Sequence, residues 1–131
     1  LPPSPPPPPP PAPPAPPGRA FVRARHPRGL RPYPVGLEAQ IHGDGDPYPT
    51  GSLYGRLPAP PGLAPADRWY TLTVILQGET LEIRLDDTTT ARGTVAPGQG
   101  FIALQGHDPW SNLAFRRIAL TPLGEPAQTN P

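Results

Sequence analysis

Apolar and polar positions alternate with a period of two from Arg19 onward, and turn residues interrupt the alternation every eight to twelve positions. That pattern predicts short antiparallel strands rather than helices. Residues 19–25 put Ala20, Val22 and Ala24 on one face and Phe21, Arg23 and Arg25 on the other. Residues 35–42 are cleaner: Leu37, Ala39 and Ile41 share a face, with Glu38, Gln40 and His42 opposite. Residues 50–55 predict a third, shorter strand. Residues 69–76 and 80–85 are rich in Thr, Val, Ile and Leu and are joined through Gln77-Gly78-Glu79, a hairpin signal. Leu81, Ile83 and Leu85 alternate there with Thr80, Glu82 and Arg84, so one face is expected buried and the other wet. Strands over 100–105 and 112–120 close the series, with a β-bulge expected at Arg116-Arg117, where the apolar phase changes. No segment has a 3.6-residue period.

Proline punctuates this pattern. The chain has 131 residues, 27 of them proline, and 13 of those fall within the first 17 positions. Proline lacks an N–H and has a fixed φ, so this tract is expected to extend as polyproline II, roughly 50 Å long at ~3.1 Å per residue. It reads as a stiff spacer. Pro14, Pro17 and Arg19 also form the P-x-x-P-x-R arrangement that aromatic grooves of the SH3 type bind. The expected organisation is a disordered proline-rich linker over 1–18, one β domain over 19–121 and a disordered tail over 122–131.

Charge and cysteine content remove several classes. The formal net charge is +1, and all 11 basic residues are arginine. Five lie between Arg19 and Arg31 without an acid among them, which fits a solvated edge better than a nucleic-acid footprint. The absence of cysteine excludes a disulfide scaffold, a thiol nucleophile and Cys-ligated metals. No apolar run approaches the length of a membrane-spanning helix, and no signal peptide is visible.

Three groups carry candidate chemistry. Glu38, Gln40 and His42 form a row on one strand face, and a carboxylate beside an amide offers the acceptors and donors that sugar hydroxyls need. The same row equally suits the solvated side of a half-buried sheet. His107 and Asp108 lie in a Gly106-His107-Asp108-Pro109 turn, a strand-end position suited to proton transfer or to a plain Asp turn. Arg23 is placed to bind an oxyanion or to pair with Glu38 across the sheet. His26, His42 and His107, with Glu38 or Asp108, leave a divalent metal open as a cofactor, although no H-x-x-x-H spacing occurs. Neither a G-x-S-x-G elbow nor a phosphate-cradling loop is present.

Several stretches, in order, resemble the bacterial 3-keto-disaccharide hydrolase family: Arg19-Ala-Phe-Val-Arg23, Gly36-Leu-Glu-Ala-Gln-Ile41, Thr50-Gly-Ser-Leu-Tyr-Gly55, residues 69–76, and Phe101-Ile-Ala-Leu-Gln-Gly-His-Asp-Pro109 with Phe115-Arg-Arg-Ile118. The resemblance implies an all-β, antiparallel jelly-roll β-sandwich of the concanavalin A/LamG type. It also implies glycosidic-bond cleavage in 3-keto-glycosides by elimination and hydration. On matching positions it implies Glu38 and His107 as proton-transfer groups, His107 alternatively as a metal ligand, and Arg23, Gln40, Tyr54 and Asp108 as substrate-binding residues. It also implies a saccharide ligand and export to the periplasm or beyond, while charge and hydropathy lead to the expectation of no nucleic acid and no membrane span. A non-catalytic carbohydrate-binding module and an inactive fragment are the alternatives, since the same sandwich hosts lectins. The family pattern places further strands before Arg19, where this chain has its proline tract. A partial sandwich is therefore expected, with Trp69, Phe115 or the 81–85 face less covered and homo-oligomerisation through the uncovered sheet. The turn at Asp86-Asp87-Thr88, where the family has glycine, is expected to be less tight.

Overall fold

Residue-by-residue alternation becomes two three-stranded sheets. The computed structural model describes residues 3–6, 18–25, 35–43, 46–64, 68–106 and 113–124. Its strands are β1 (Gly18–Arg25), β2 (Val35–Ile41), β3 (Leu72–Gln77), β4 (Thr80–Leu85), β5 (Thr88–Thr94) and β6 (Phe101–Gly106). Sheet order is β2-β1-β6 in one and β3-β4-β5 in the other, with every ladder antiparallel. There is no helix among the described residues, and no helix there is long and apolar enough to cross a membrane.

The β3–β5 sheet is a meander built on two tight turns. Gln77 pairs with Thr80 around Gly78-Glu79, with Gly78 at φ 59°. Leu85 pairs with Thr88 around Asp86-Asp87, so the second turn is as short as the first, contrary to the looser turn expected. Asp86 takes the left-handed conformation (φ 50°) that short polar side chains tolerate. Its N–H donates to Thr71 O (2.9 Å) and its Oδ1 accepts from Thr71 N (3.0 Å), fastening the turn to the approach into β3. The sequence Thr-Thr-Thr-Ala-Arg-Gly-Thr of β5 was not among the predicted strands.

The core forms where the two sheets face one another. Leu81, Ile83, Ala91 and Val95 from one side meet Ala39 and Leu53 from the other, and Ala20, Leu37, Leu57, Leu72, Val74 and Leu76 pack around them. The β4 face expected to be less covered is therefore fully buried, because β2 and the 50–57 loop lie over it: Ile83 is 0% exposed. Burying such a side chain contributes about 1.5–3 kcal/mol. Thr90 ties the sheets together, its Oγ1 lying within donating distance of Gly51 O (2.8 Å) and Ile83 O (3.1 Å).

Two predicted strands are corrected. Over 50–55 only an isolated bridge remains, Ala39 to Leu53, which in turn bridges to Leu57. Gly51 (φ 95°) and Gly55 (φ 76°) interrupt the extended backbone on either side of it. From Leu113 to Leu120 no strand forms. The change of apolar phase there reflects Arg117 at φ 54°, not a bulge within a ladder. The segment is held instead by the Arg116 guanidinium stacked 3.9 Å from the Trp69 ring centroid, and just beyond it Gln77 Nε2 donates to Gly124 O (2.7 Å). Ile118 (70%) and Leu120 (74%) stay exposed, as do Trp69 and Phe115.

Candidate functional site

Alternation along β2 turns Ala39 and Ile41 into the core and leaves Glu38 and Gln40 on the opposite face. Strand register extends this face across the sheet. Gln40 pairs with Arg19 of β1, and Arg19 pairs with Gln105 of β6. One step along, Glu38 pairs with Phe21, and Phe21 with Ala103. Beyond β2, Tyr54 N donates to Glu38 O and Gln40 N to Ser52 O, both at 2.9 Å, so residues 52–54 add a further short edge.

This face is not the solvated side of a half-buried sheet. Gln40 is only 1% exposed, and its Oε1 is buried with no hydrogen-bond partner among the described residues. Gln105 Oε1 is in the same condition. Glu38 is half-buried, and its Oε2 is shielded from solvent. A buried amide oxygen without a donor costs about 1–3 kcal/mol, so these oxygens need an explanation. Tyr54 stands 44% exposed at the rim, edge-on to Tyr48 with ring centroids 5.6 Å apart. Ser52 is no nucleophile: it is fully buried, and its Oγ accepts from Ala59 N (2.8 Å).

The predicted site residues fall into three groups. Glu38, Gln40 and Tyr54 come together on adjacent strand and edge positions. Arg23 lies at a register break in β1, between Val22 and Arg25 toward β2 and between Phe21 and Ala24 toward β6. The residue opposite Glu38 in the ladder is Phe21. His107 and Asp108 lie outside the described residues, immediately after Gly106 at the end of β6, and so does His26. Gln105 was not singled out as a site residue, although a glutamine alternating with Phe101 and Ala103 on one strand face was a readable signal.

Other polar groups are accounted for by one another. His42 Nε2 lies 3.6 Å from Asp46 Oδ2, while Asp46 Oδ1 accepts from Tyr48 N (2.7 Å). His42 and Asp46 form a pair and not a metal-ligand cluster; no group of three or more such residues occurs among the described residues. Thr50 Oγ1 donates to His42 O (2.8 Å), and burial pushes the nearby Tyr70 hydroxyl up from its usual pKa, partly offset by its hydrogen bond with Thr50. On the outer face of the β3–β5 sheet, Glu82 Oε1 accepts from Arg92 and from Thr89 Oγ1 (3.2 Å), and Oε2 accepts from Arg84 Nη2 (2.8 Å). The Arg92 hydrogen bond, then that of Thr89 and the charges of Arg84 and Arg92, hold the Glu82 carboxyl below the usual carboxylate range against the opposing effect of burial. An open cavity of about 470 Å³ adjoins this cluster, but its charges are already paired.

The fold and the face together define an antiparallel two-sheet β domain that presents a half-buried carboxylate beside a buried amide. The pattern of the 3-keto-alpha-glucoside-1,2-lyase-like domain matches residues 17–121, and the chain belongs to that family. No curated protein and no solved structure matches it.

Proposed function

We propose that this domain cleaves the glycosidic bond of 3-keto-glycosides by elimination and hydration, with Glu38 as the proton-transfer group. The observation that carries this reading is the Glu38–Gln40 face: a half-buried carboxylate next to a fully buried amide whose oxygen has no donor among the described residues, in a domain of the 3-keto-alpha-glucoside-1,2-lyase-like family. In such a substrate the C3 ketone acidifies the C2–H. A base removes that proton, the C2–H electrons form an enolate on the ketone oxygen, and collapse of the enolate expels the C1 substituent to leave a C1–C2 double bond. The departing oxygen takes a proton, and water then adds at C1. The chemistry therefore needs a base near C2, a donor for the leaving oxygen and hydrogen bonds to the ring hydroxyls.

In this reading Glu38 on β2 acts as the base, and Gln40 and Tyr54 hold and stack the ring beside it. His107 and Asp108 supply the second proton transfer and a further hydroxyl contact in this reading, and Arg23 steadies the enolate. The sandwich is taken to be of the jelly-roll, concanavalin A-like kind, and the protein to act outside the cytoplasm. The test is turnover of methyl 3-keto-α-glucoside by the wild type and by Glu38→Gln, each with its circular dichroism recorded. Loss of turnover in a folded Glu38→Gln variant is expected; full activity removes Glu38 from the mechanism.

A further inference from the structure

We infer that the outer face of the β3–β5 sheet is a second binding site, for a hydroxylated monocarboxylate of the hexuronate type, with Arg92 receiving the carboxylate. This site lies on the far side of the sandwich from Glu38 and does not depend on the 3-keto-glycoside reading.

The face is assembled by alternation and register. Leu72, Val74 and Leu76 of β3 pack against the core, which turns Ile75 and Gln77 outward. Gln77 pairs with Thr80 and Thr80 with Thr94, so these three form one row across the sheet. Ile75, Glu82 and Arg92 form the next. The open cavity of about 470 Å³ lies over both rows, within the range of about 300–1,000 Å³ usual for small-molecule sites.

Its electrostatics favour a single negative charge. Arg84 and Arg92 converge on one carboxylate, that of Glu82, whose side chain is only 11% exposed. Every charge there has a partner, yet the three sum to +1. Arg92 binds side-on, with Nε (3.1 Å) and Nη2 both donating to Glu82 Oε1, so its Nη1 is turned away from Glu82. The arginine side chain is nevertheless 71% exposed. A guanidinium held in place on one edge and open on the other is preorganised for a planar carboxylate. A dianionic phosphate would leave surplus negative charge beside Glu82, with Glu79 a further acid in the adjoining turn.

The first row supplies the partners for hydroxyls. Thr80 Oγ1 donates to Gln77 O (2.9 Å), which leaves its lone pairs to accept. Gln77 Nε2 donates to Gly124 O (2.7 Å), which leaves Oε1 as an acceptor, and Thr94 adds an exposed hydroxyl. Ile75 gives the cavity an apolar surface for ring C–H groups. The rows are about 6.7 Å apart along the strands. A ligand that spans them carries its carboxylate and its hydroxyls several bonds apart, as a hexuronate does and acetate does not.

The test is a ¹⁵N–¹H NMR titration of the full chain with glucuronate at fixed ionic strength, beside methyl glucoside, acetate and sulfate. Glucuronate is expected to give saturable shifts confined to residues 75–80 and 92–94, with the other three at least about tenfold weaker. Arg92→Gln is expected to weaken glucuronate binding about ten- to a hundredfold, the worth of its charged hydrogen bonds. Thr94→Val, which leaves the Glu82 ion pairs intact, is expected to weaken it about two- to tenfold. Absence of saturable shifts at those residues overturns the inference. Sulfate or acetate binding as well as glucuronate marks an adventitious ion only and also overturns it, as does unchanged glucuronate affinity in Arg92→Gln. Should Arg92→Gln fail to fold, unchanged affinity in Thr94→Val overturns it instead.

Discussion

Gly51 sits where the two sheets touch, and replacing it by alanine probes that junction. A Cβ at Gly51 would lie 2.7 Å from Thr90 Oγ1, 2.9 Å from Thr90 Cβ and 3.1 Å from Thr90 Cγ2, at a φ of 95° that L-residues rarely adopt. The backbone conformation alone costs about 1–2 kcal/mol for a residue with a Cβ. Relieving the collision moves Thr90 away and loses its bond to Gly51 O, a further ~0.5–1.5 kcal/mol. The expected loss is about 1.5–3.5 kcal/mol, or roughly 6–20 °C in melting temperature for a domain of this size. Gly55 is the control: its φ is 76°, yet a Cβ there meets nothing within 4 Å. Gly55→Ala is thus expected to cost only about 1 kcal/mol, and the unfolded-state entropy change of a glycine-to-alanine substitution is common to both. Urea unfolding of the two variants, read at equal m-values, gives the difference. Equal losses at the two positions would refute the contact between the 50–57 loop and β5, and with it the packing of the sheets as described.

Two further expectations concern the core and the charged face. Ile83→Ala, at a fully buried position, is expected to cost about 2–5 kcal/mol in chemical denaturation, whereas Ile118→Ala at an exposed one should be near neutral. Glu82 titrates lower in the folded chain than its ordinary value, chiefly because of Arg92. Its contribution to stability is therefore present above roughly pH 4.3 and is lost as pH falls through the depressed folded value. Glu82→Gln should flatten the acid limb of a melting-temperature profile below that pH and leave the profile's shape near pH 7 unchanged; an identical acid limb in both proteins would count against the ion-pair cluster.

Strands whose alternation was clean were legible from residues alone. β2 and β4 place Ala39 and Ile41, and Leu81, Ile83 and Leu85, in the core as the period of two requires. β5 was not, because three threonines, an arginine and a glycine give no apolar stripe; it exists because Asp86 turns the chain back onto β4. The apolar residues at 113, 115, 118 and 120 misled in the opposite way. They have strand-like spacing, but Arg117 breaks the extended backbone and Arg116 is drawn onto Trp69. For the site, Glu38 and Gln40 could be placed on one face from sequence, whereas the alignment of Gln105 with Gln40 depends on β1 lying between β2 and β6. That order is a long-range pairing which local pattern does not encode. Register likewise put Phe21, and not Arg23, opposite Glu38.

Proton removal at C2 by Glu38 is open to direct observation. Methyl 3-keto-α-glucoside is incubated in D₂O with wild type or Glu38→Gln, and deuterium at C2 is followed by NMR in the recovered substrate and product. The wild type is expected to introduce deuterium at C2 as it cleaves the bond, and Glu38→Gln, folded by circular dichroism, is expected to do neither. Cleavage by the wild type without deuterium at C2 would contradict elimination, and undiminished exchange by Glu38→Gln would contradict the role given to Glu38.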